Sequence, residues 1–178
     1  MKLPLKPFTV PLSPFTVPLS PFPVPLSPFP FHRSPFPFPP MQNLITHLHQ
    51  GNFSCVIRKG GEVREFSRRG VVDLYELLVQ DSEFLHNSEL ADKVIGKGAA
   101  VLMIKGGVMR VYADVISAPA LELLRTNGVD VTFLTEVANI KNRAGTDMCP
   151  VEKRCLLLTD LNEMVEAIHS FLEQQQLI

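Results

Sequence analysis

The sequence predicts an α/β fold: a three-layer α-β-α domain on a mixed sheet, preceded by a disordered Pro-rich tail. Three observations carry this. Two alternating segments joined by Lys59-Gly60-Gly61 read as an antiparallel hairpin. A later strand–helix–strand run requires a parallel crossover. Fourteen of the 16 prolines precede Met41, where they forbid helix interiors and central strands.

The tail is a heptad repeat. Residues 7–13 (PFTVPLS) recur at 14–20, return as PFPVPLS at 21–27, and decay to PFPFHRS at 28–34. Leu12 becomes Arg33 at the same repeat position. That change ignores physical character, as drift in a DNA repeat would. Residues 1–40 therefore read as a disordered extension translated from a misassigned start, with 41–178 as the functional domain. Its Pro spacing also suits ligands of proline-reading domains, but any Pro repeat would satisfy that pattern. Lys2 and Lys6 precede no continuous apolar stretch, so no signal peptide is expected, and no run is long enough to span a bilayer.

Without Lys2, Lys6 and Arg33, 14 of the 17 basic residues face 18 acidic ones, a net of −4 for the domain. Such a domain lacks the field that gathers nucleic acid, so neither nucleic acid nor membrane is an expected partner. Its 138 residues suffice for one core. Cys55, Cys149 and Cys155 are odd in number and scattered, which suits a reducing compartment, and the cytoplasm is the expected location.

Leu44, Ile45 and Leu48 put a helix over residues 41–50, ended by Gly51. Strands follow at 53–58 and 62–67. Residues 71–80 form a helix with Val72, Tyr75, Leu78 and Val79 on one face, and 81–88 a polar connection. The small, apolar run 92–104 reads as a buried helix. Gly106-Gly107 then turns the chain into a strand at 108–116. A helix over 117–127, a strand at 129–134 and a polar loop at 139–148 come next. Cys149-Pro150 opens a helix running to 158, and Thr159-Asp160 restarts it as a final amphipathic helix over 161–174.

Hairpin, small-residue helix, strand, helix, strand is the order of the cytidine-deaminase-like fold. True members begin the small-residue helix with His-x-Glu or Cys-x-Glu and place Pro-Cys-x-x-Cys after the next strand, holding a zinc that activates water. Here residues 94–99 (VIGKGA) hold no His, Cys or Glu, and residues 117–120 read Ser-Ala-Pro-Ala. No metal and no other cofactor is expected. The chain more closely resembles the bacterial domain-of-unknown-function family eighteen-ninety-three, a metal-free branch of that fold, from residue 41 to about 172. The resemblance rests on residues 92–100 (DKVIGKGAA), 113–117 (ADVIS), Asn142-Arg143 and 149–152 (CPVE). That family typically has Ala where this chain has Gly98, a departure expected only to loosen the helix. No established activity comes with the resemblance, though assembly into homo-oligomers is common in the fold.

The motif residues each admit two readings. Lys93 and Lys97, four apart, would share a helical face beside Asp92. A lysine among Gly and Ala would need Asp92, Glu152 or a bound anion as partner, so an ordinary ion pair and a ligand site stand side by side. Ser117, at a strand-to-helix junction, would cap the helix, or help cradle an anion in a cleft between the helices starting near Asp92 and Ser117. Asn142-Arg143 would clamp an anion or idle in solvent. Glu152 sits where a capping box wants a carboxylate. Cys149, at a helix start, would be a nucleophile or simply buried. His47 and His49 point to different faces and make no metal pair, His86 and His169 stand apart, and Arg68-Arg69 reads as a solvated basic spot.

Three functions follow. The first is binding of a small anionic or nucleotide-like ligand by Asp92, Lys93, Lys97, Ser117, Asn142, Arg143 and Glu152. The second is a metal-independent enzyme using Cys149 as nucleophile or Lys97 as base. The third is a structural or interaction protein. Ligand binding leads, and whether a reaction is catalysed stays open.

Overall fold

The computed structural model describes residues 40–68 and 70–178. The expectations for the Pro-rich tail and for Arg69 lie outside the described residues. Twelve elements follow within them. The leading helix α1 (Met41–Gln50) precedes the hairpin β1 (Cys55–Lys59) and β2 (Glu62–Phe66). Helices α2 (Val72–Gln80) and α3 (Ser82–Leu85) come next, then β3 (Glu89–Ile95), α4 (Lys97–Gly106), β4 (Arg110–Ser117), α5 (Ala118–Thr126) and β5 (Asp130–Val137). The chain closes with α6 (Pro150–Cys155) and α7 (Leu161–Gln174).

The sheet is mixed, with strand order β2-β1-β3-β4-β5. β1 pairs antiparallel with both β2 and β3, while β3, β4 and β5 run parallel. Helices cover both faces unequally. On one face Cys55, Ile57, Leu90, Val111 and Ile116 pack with buried residues of the helices from α2 to α7, including Leu74, Leu102, Leu124, Val151 and Ile168. Each fully buried aliphatic side chain contributes roughly 1.5–3 kcal/mol. The other face is covered by α1, whose Leu44 and Leu48 meet Val56, Ala91 and Tyr112.

Two histidines pin that leading helix. His47 Nε2 lies 2.6 Å from Glu65 Oε1, and its ring stacks on Phe53. His49 Nε2 lies 2.9 Å from Asp114 Oδ1, which also accepts from the Tyr112 hydroxyl. They diverge as their spacing requires. His169 is less isolated than expected, since its Nδ1 lies 2.8 Å from the Tyr75 hydroxyl. Arg68 is exposed, as its reading as a solvated residue expects, and also bonds to Asp73 and Glu76.

One segment corrects the sequence reading. Residues 92–104 are not a single helix: the chain runs as strand to Ile95, caps at Gly96 and becomes helical at Lys97. Most of β3 is buried, so it lacks the alternation of a half-exposed strand, and its small residues continue without a break into α4. Short apolar runs of this kind carry no decisive period. In consequence, Lys93 and Lys97 do not share a helical face. A second correction concerns residues 81–88, whose polar connection contains the one-turn helix α3.

Candidate functional site

The C-terminal end of β3 and the start of α4 open into a cleft of about 950 Å³. Asp92, Lys93 and Val94 come from the strand, and Gly96, Gly98 and Ala99 from the junction and helix. The loop after β5 contributes Ile140, Lys141, Asn142, Arg143 and Ala144. The start of α6 contributes Cys149, Pro150, Val151 and Glu152, and the end of the chain adds Phe171, Leu172, Gln175 and Leu177. Crevices beyond the carboxyl ends of parallel strands are the usual ligand sites of open α/β sheets.

Two glycines let α6 approach. A Cβ on Gly96 would overlap Glu152 Oε2, and a Cβ on Gly98 would overlap Val151 Cγ1. The Gly98 departure is therefore filled by Val151, rather than merely loosening the helix. Glu152 is buried and accepts the Lys97 backbone N–H at 2.8 Å. It satisfies the start of α4, not the start of its own helix as a capping box would. Its second oxygen, Oε1, is buried with no hydrogen-bond partner.

Asp92 is the other buried carboxyl lining the cleft. Burial pushes it up to about 7, against the opposing pull of the Val94 N–H and the Cys55 thiol, while the Asp114 charge adds to the rise. The Val94 N–H donates to Asp92 Oδ1 at 2.8 Å. Burial first, and then Asp92, push the Cys55 thiol well above its ordinary value.

Lys97 does not line the cleft. The residue is nine-tenths buried, and its ammonium donates to the carbonyls of Leu156 at 3.0 Å and Leu158 at 2.9 Å. Its charge is thus met by carbonyls beyond the end of α6, with no ion pair to Asp92 or Glu152. Ser117 is absent from the cleft as well. It is fully buried, and its Oγ accepts from Ala120 N at 3.3 Å as the cap of α5. The cleft lies beside the 140–144 loop and α6, not between the starts of α4 and α5 as the sequence suggested.

The loop folds on itself. Asn142 Oδ1 accepts from Thr146 N, Asn142 Nδ2 donates to Thr146 Oγ1, and Lys141 bridges to Met148. Asn142 therefore shapes the loop that presents Arg143. Among the described residues, neither the Arg143 nor the Lys93 side chain has a hydrogen bond or ion pair. Cys149 is half-buried at the cap of the six-residue α6, while burial pushes the Cys155 thiol up to about 11. Six of the eight residues singled out from sequence meet here: Asp92, Lys93, Asn142, Arg143, Cys149 and Glu152. Lys141 went unremarked although it adjoins the basic loop motif. Gln175 and Leu177 left no local signal, since only the packing of α7 brings them in.

A mixed five-stranded sheet with a cleft at the ends of its parallel strands defines the class of α/β protein. The chain belongs to the family described as "Domain of unknown function (DUF1893)", whose model matches residues 43–172. It is similar to the crystal structure of a DUF1893 family protein (TM1506) from Thermotoga maritima, with a TM-score of 0.67 and 25% identity. That likeness covers 73% of this chain and 88% of the other. No curated protein matches the chain.

Proposed function

We propose that the cleft binds a small anionic, nucleotide-like ligand. The observation that carries this is a pair of cations, Lys93 and Arg143, lining one cleft with no protein partner. Cations left unpaired at a concave site are available for an anion, and a guanidinium matches phosphate or carboxylate with two parallel donors. Lys141 adds a third positive charge to the same wall. Arg143 is exposed, so Arg143→Ala should leave the fold intact. On calorimetric titration of the full chain with inorganic phosphate and nucleoside monophosphates, the variant should bind at least tenfold more weakly. Unchanged binding would remove Arg143 from the site.

The element order and the position of the cleft suit a cytidine-deaminase-like arrangement, but a zinc ion does not fit the side chains present. The start of α4 offers Gly96, Lys97 and Gly98, with the Glu152 carboxylate seated where a side chain on Gly96 would be. Residues 117–120 offer one buried hydroxyl already used as a cap. Among the described residues, no group of three or more His, Cys, Asp or Glu could hold a metal ion. No hydrolytic step is routed through zinc.

A second reading, a metal-independent enzyme, is favoured by one observation: Cys149 lines the same cleft as Asp92, a carboxyl poised near neutrality. Lys97 is a poor base candidate, because its ammonium is committed to two carbonyls. Iodoacetamide decides the cysteine version. If Cys149 labels no faster at neutral pH than it does in the urea-unfolded chain, it is not an activated nucleophile.

A further inference from the structure

We infer that the ligand of this cleft is amphoteric: its negative group faces the Lys93 and Arg143 side, and an N–H-donating group, such as an amino-substituted heterocycle, faces the Glu152 carboxylate. This rests on the anion-binding reading above and deepens it. The polar groups of the cleft fall into two sets with different bonding needs. Lys93 and Arg143 can only donate and have no partner. Glu152 supplies acceptors, and one is unused: Oε2 takes the Lys97 N–H, while Oε1 is buried with no partner.

A buried carboxylate oxygen without a donor is costly, and a ligand that brings one recovers that cost. The Lys97 side chain does not serve, because its ammonium is spent on the carbonyls of Leu156 and Leu158. The positive end of α4 favours an acceptor at this position, as the Lys97 N–H bond to Oε2 shows. A ligand anionic at both ends would meet that charge, and one cationic at both ends would meet Lys93 and Arg143.

Room for such a ligand is present. The cleft holds about 950 Å³, and its apolar residues, among them Val94, Ile140 and Phe171, suit the faces of a ring. Ile140 is an apolar neighbour of the Glu152 carboxylate. Its Cγ1 lies 3.2 Å from where a Gly96 Cβ would sit, the place Glu152 Oε2 also crowds. Ile140 belongs to the same loop that carries Arg143, so it places an apolar side chain between the two polar sets of the cleft lining.

The test is calorimetric titration of the full chain with inorganic phosphate and two matched pairs: adenosine against inosine monophosphate, and cytidine against uridine monophosphate. Each pair exchanges an amino group for an oxo group at one ring position, a donor for an acceptor. The expected result is at least tenfold tighter binding of the amino member in one pair. Glu152→Gln should shrink that preference to under threefold, while Arg143→Ala weakens both members equally. If Glu152→Gln does not fold, Ile140→Ala replaces it: by removing apolar bulk beside the Glu152 carboxylate, it should tighten the amino member more than the oxo member. Equal binding within both pairs, or a preference that neither Glu152→Gln nor Ile140→Ala alters, overturns the inference and leaves the anion site standing. Phosphate binding without nucleotide binding does the same. Failure of phosphate and all four nucleotides to bind overturns both readings.

Discussion

At the scale of single residues, Asp92 makes the sharpest demand on the fold. Its carboxyl is pushed up to about 7 by burial, whereas the unfolded chain releases the same proton near pH 3.9. The folded state is therefore the one that holds the proton between about pH 4 and 7. Stability from this group is fully present below the unfolded pKa and is lost as pH rises through the folded one, at up to about 1.4 kcal/mol per unit. Other carboxylates act in the opposite sense. Asp81, Glu83 and Asp147 are held low by partners, and they stabilise the fold as pH rises. The slope of the whole protein mixes the two kinds, so the informative quantity is a difference. Urea unfolding at pH 5, 6, 7 and 8 should show Asp92→Asn gaining on the parent chain up to about pH 7, then holding a constant margin. A margin independent of pH would mean that Asp92 is ionised throughout.

At the scale of elements, the approach of α6 to α4 depends on what glycine omits. Alanine at position 98 would gain up to about 1 kcal/mol of helix propensity, yet its Cβ would overlap Val151 Cγ1, and overpacking typically costs about 1–3 kcal/mol. The expected outcome is that Gly98→Ala lowers the thermal midpoint and that Val151→Ala in the same chain recovers part of the loss. Additive effects would show that the two positions are independent. This contact also marks how much was legible in the sequence. α1 was readable because Leu44 and Leu48 recur at helical spacing ahead of Gly51, and α7 because Asp160 stands before an amphipathic run and caps it. The strand β3 was not readable: burial removes its alternation, and only Gly96 separates it from a helix of similar composition. In the site, Lys97 was recognisable as a charge out of place among glycines and alanines, while Arg143 and Glu152 stood out only as motif residues. What each one touches was not, because the partners of Glu152 and Lys97 lie more than fifty positions away. A charged residue in an apolar run announces that it needs a partner without saying which.

At the scale of the molecule, one ladder of charges ties four strands together at the end of the sheet away from the cleft. Arg58 on β1, Glu89 on β3, Arg110 on β4 and Asp130 on β5 are register neighbours in turn. Their side chains bond in the same order. Arg58 Nε donates to Glu89 Oε2 at 2.9 Å, Arg110 Nη1 to Glu89 Oε1 at 3.0 Å, and Arg110 Nε to Asp130 Oδ2 at 3.1 Å. A one-residue slip of any strand would turn these side chains to opposite faces, so the ladder reports the register of the whole sheet. The links are unequal. Glu89 and Arg58 are buried, and removing one member of a buried pair costs about 3–5 kcal/mol, because the other charge is left in a poor solvent. Asp130 is exposed, and such a pair contributes about 0–1 kcal/mol. Set against a typical domain stability of about 5–15 kcal/mol, Glu89→Gln should remove a large share and Asp130→Asn almost none. Urea unfolding of the two variants checks this. Phosphate affinity of Glu89→Gln under conditions where it stays folded should match the parent chain, since the ladder and the cleft lie at opposite ends of β3. If Glu89→Gln proves as mild as Asp130→Asn, the strands are held in register by apolar packing alone.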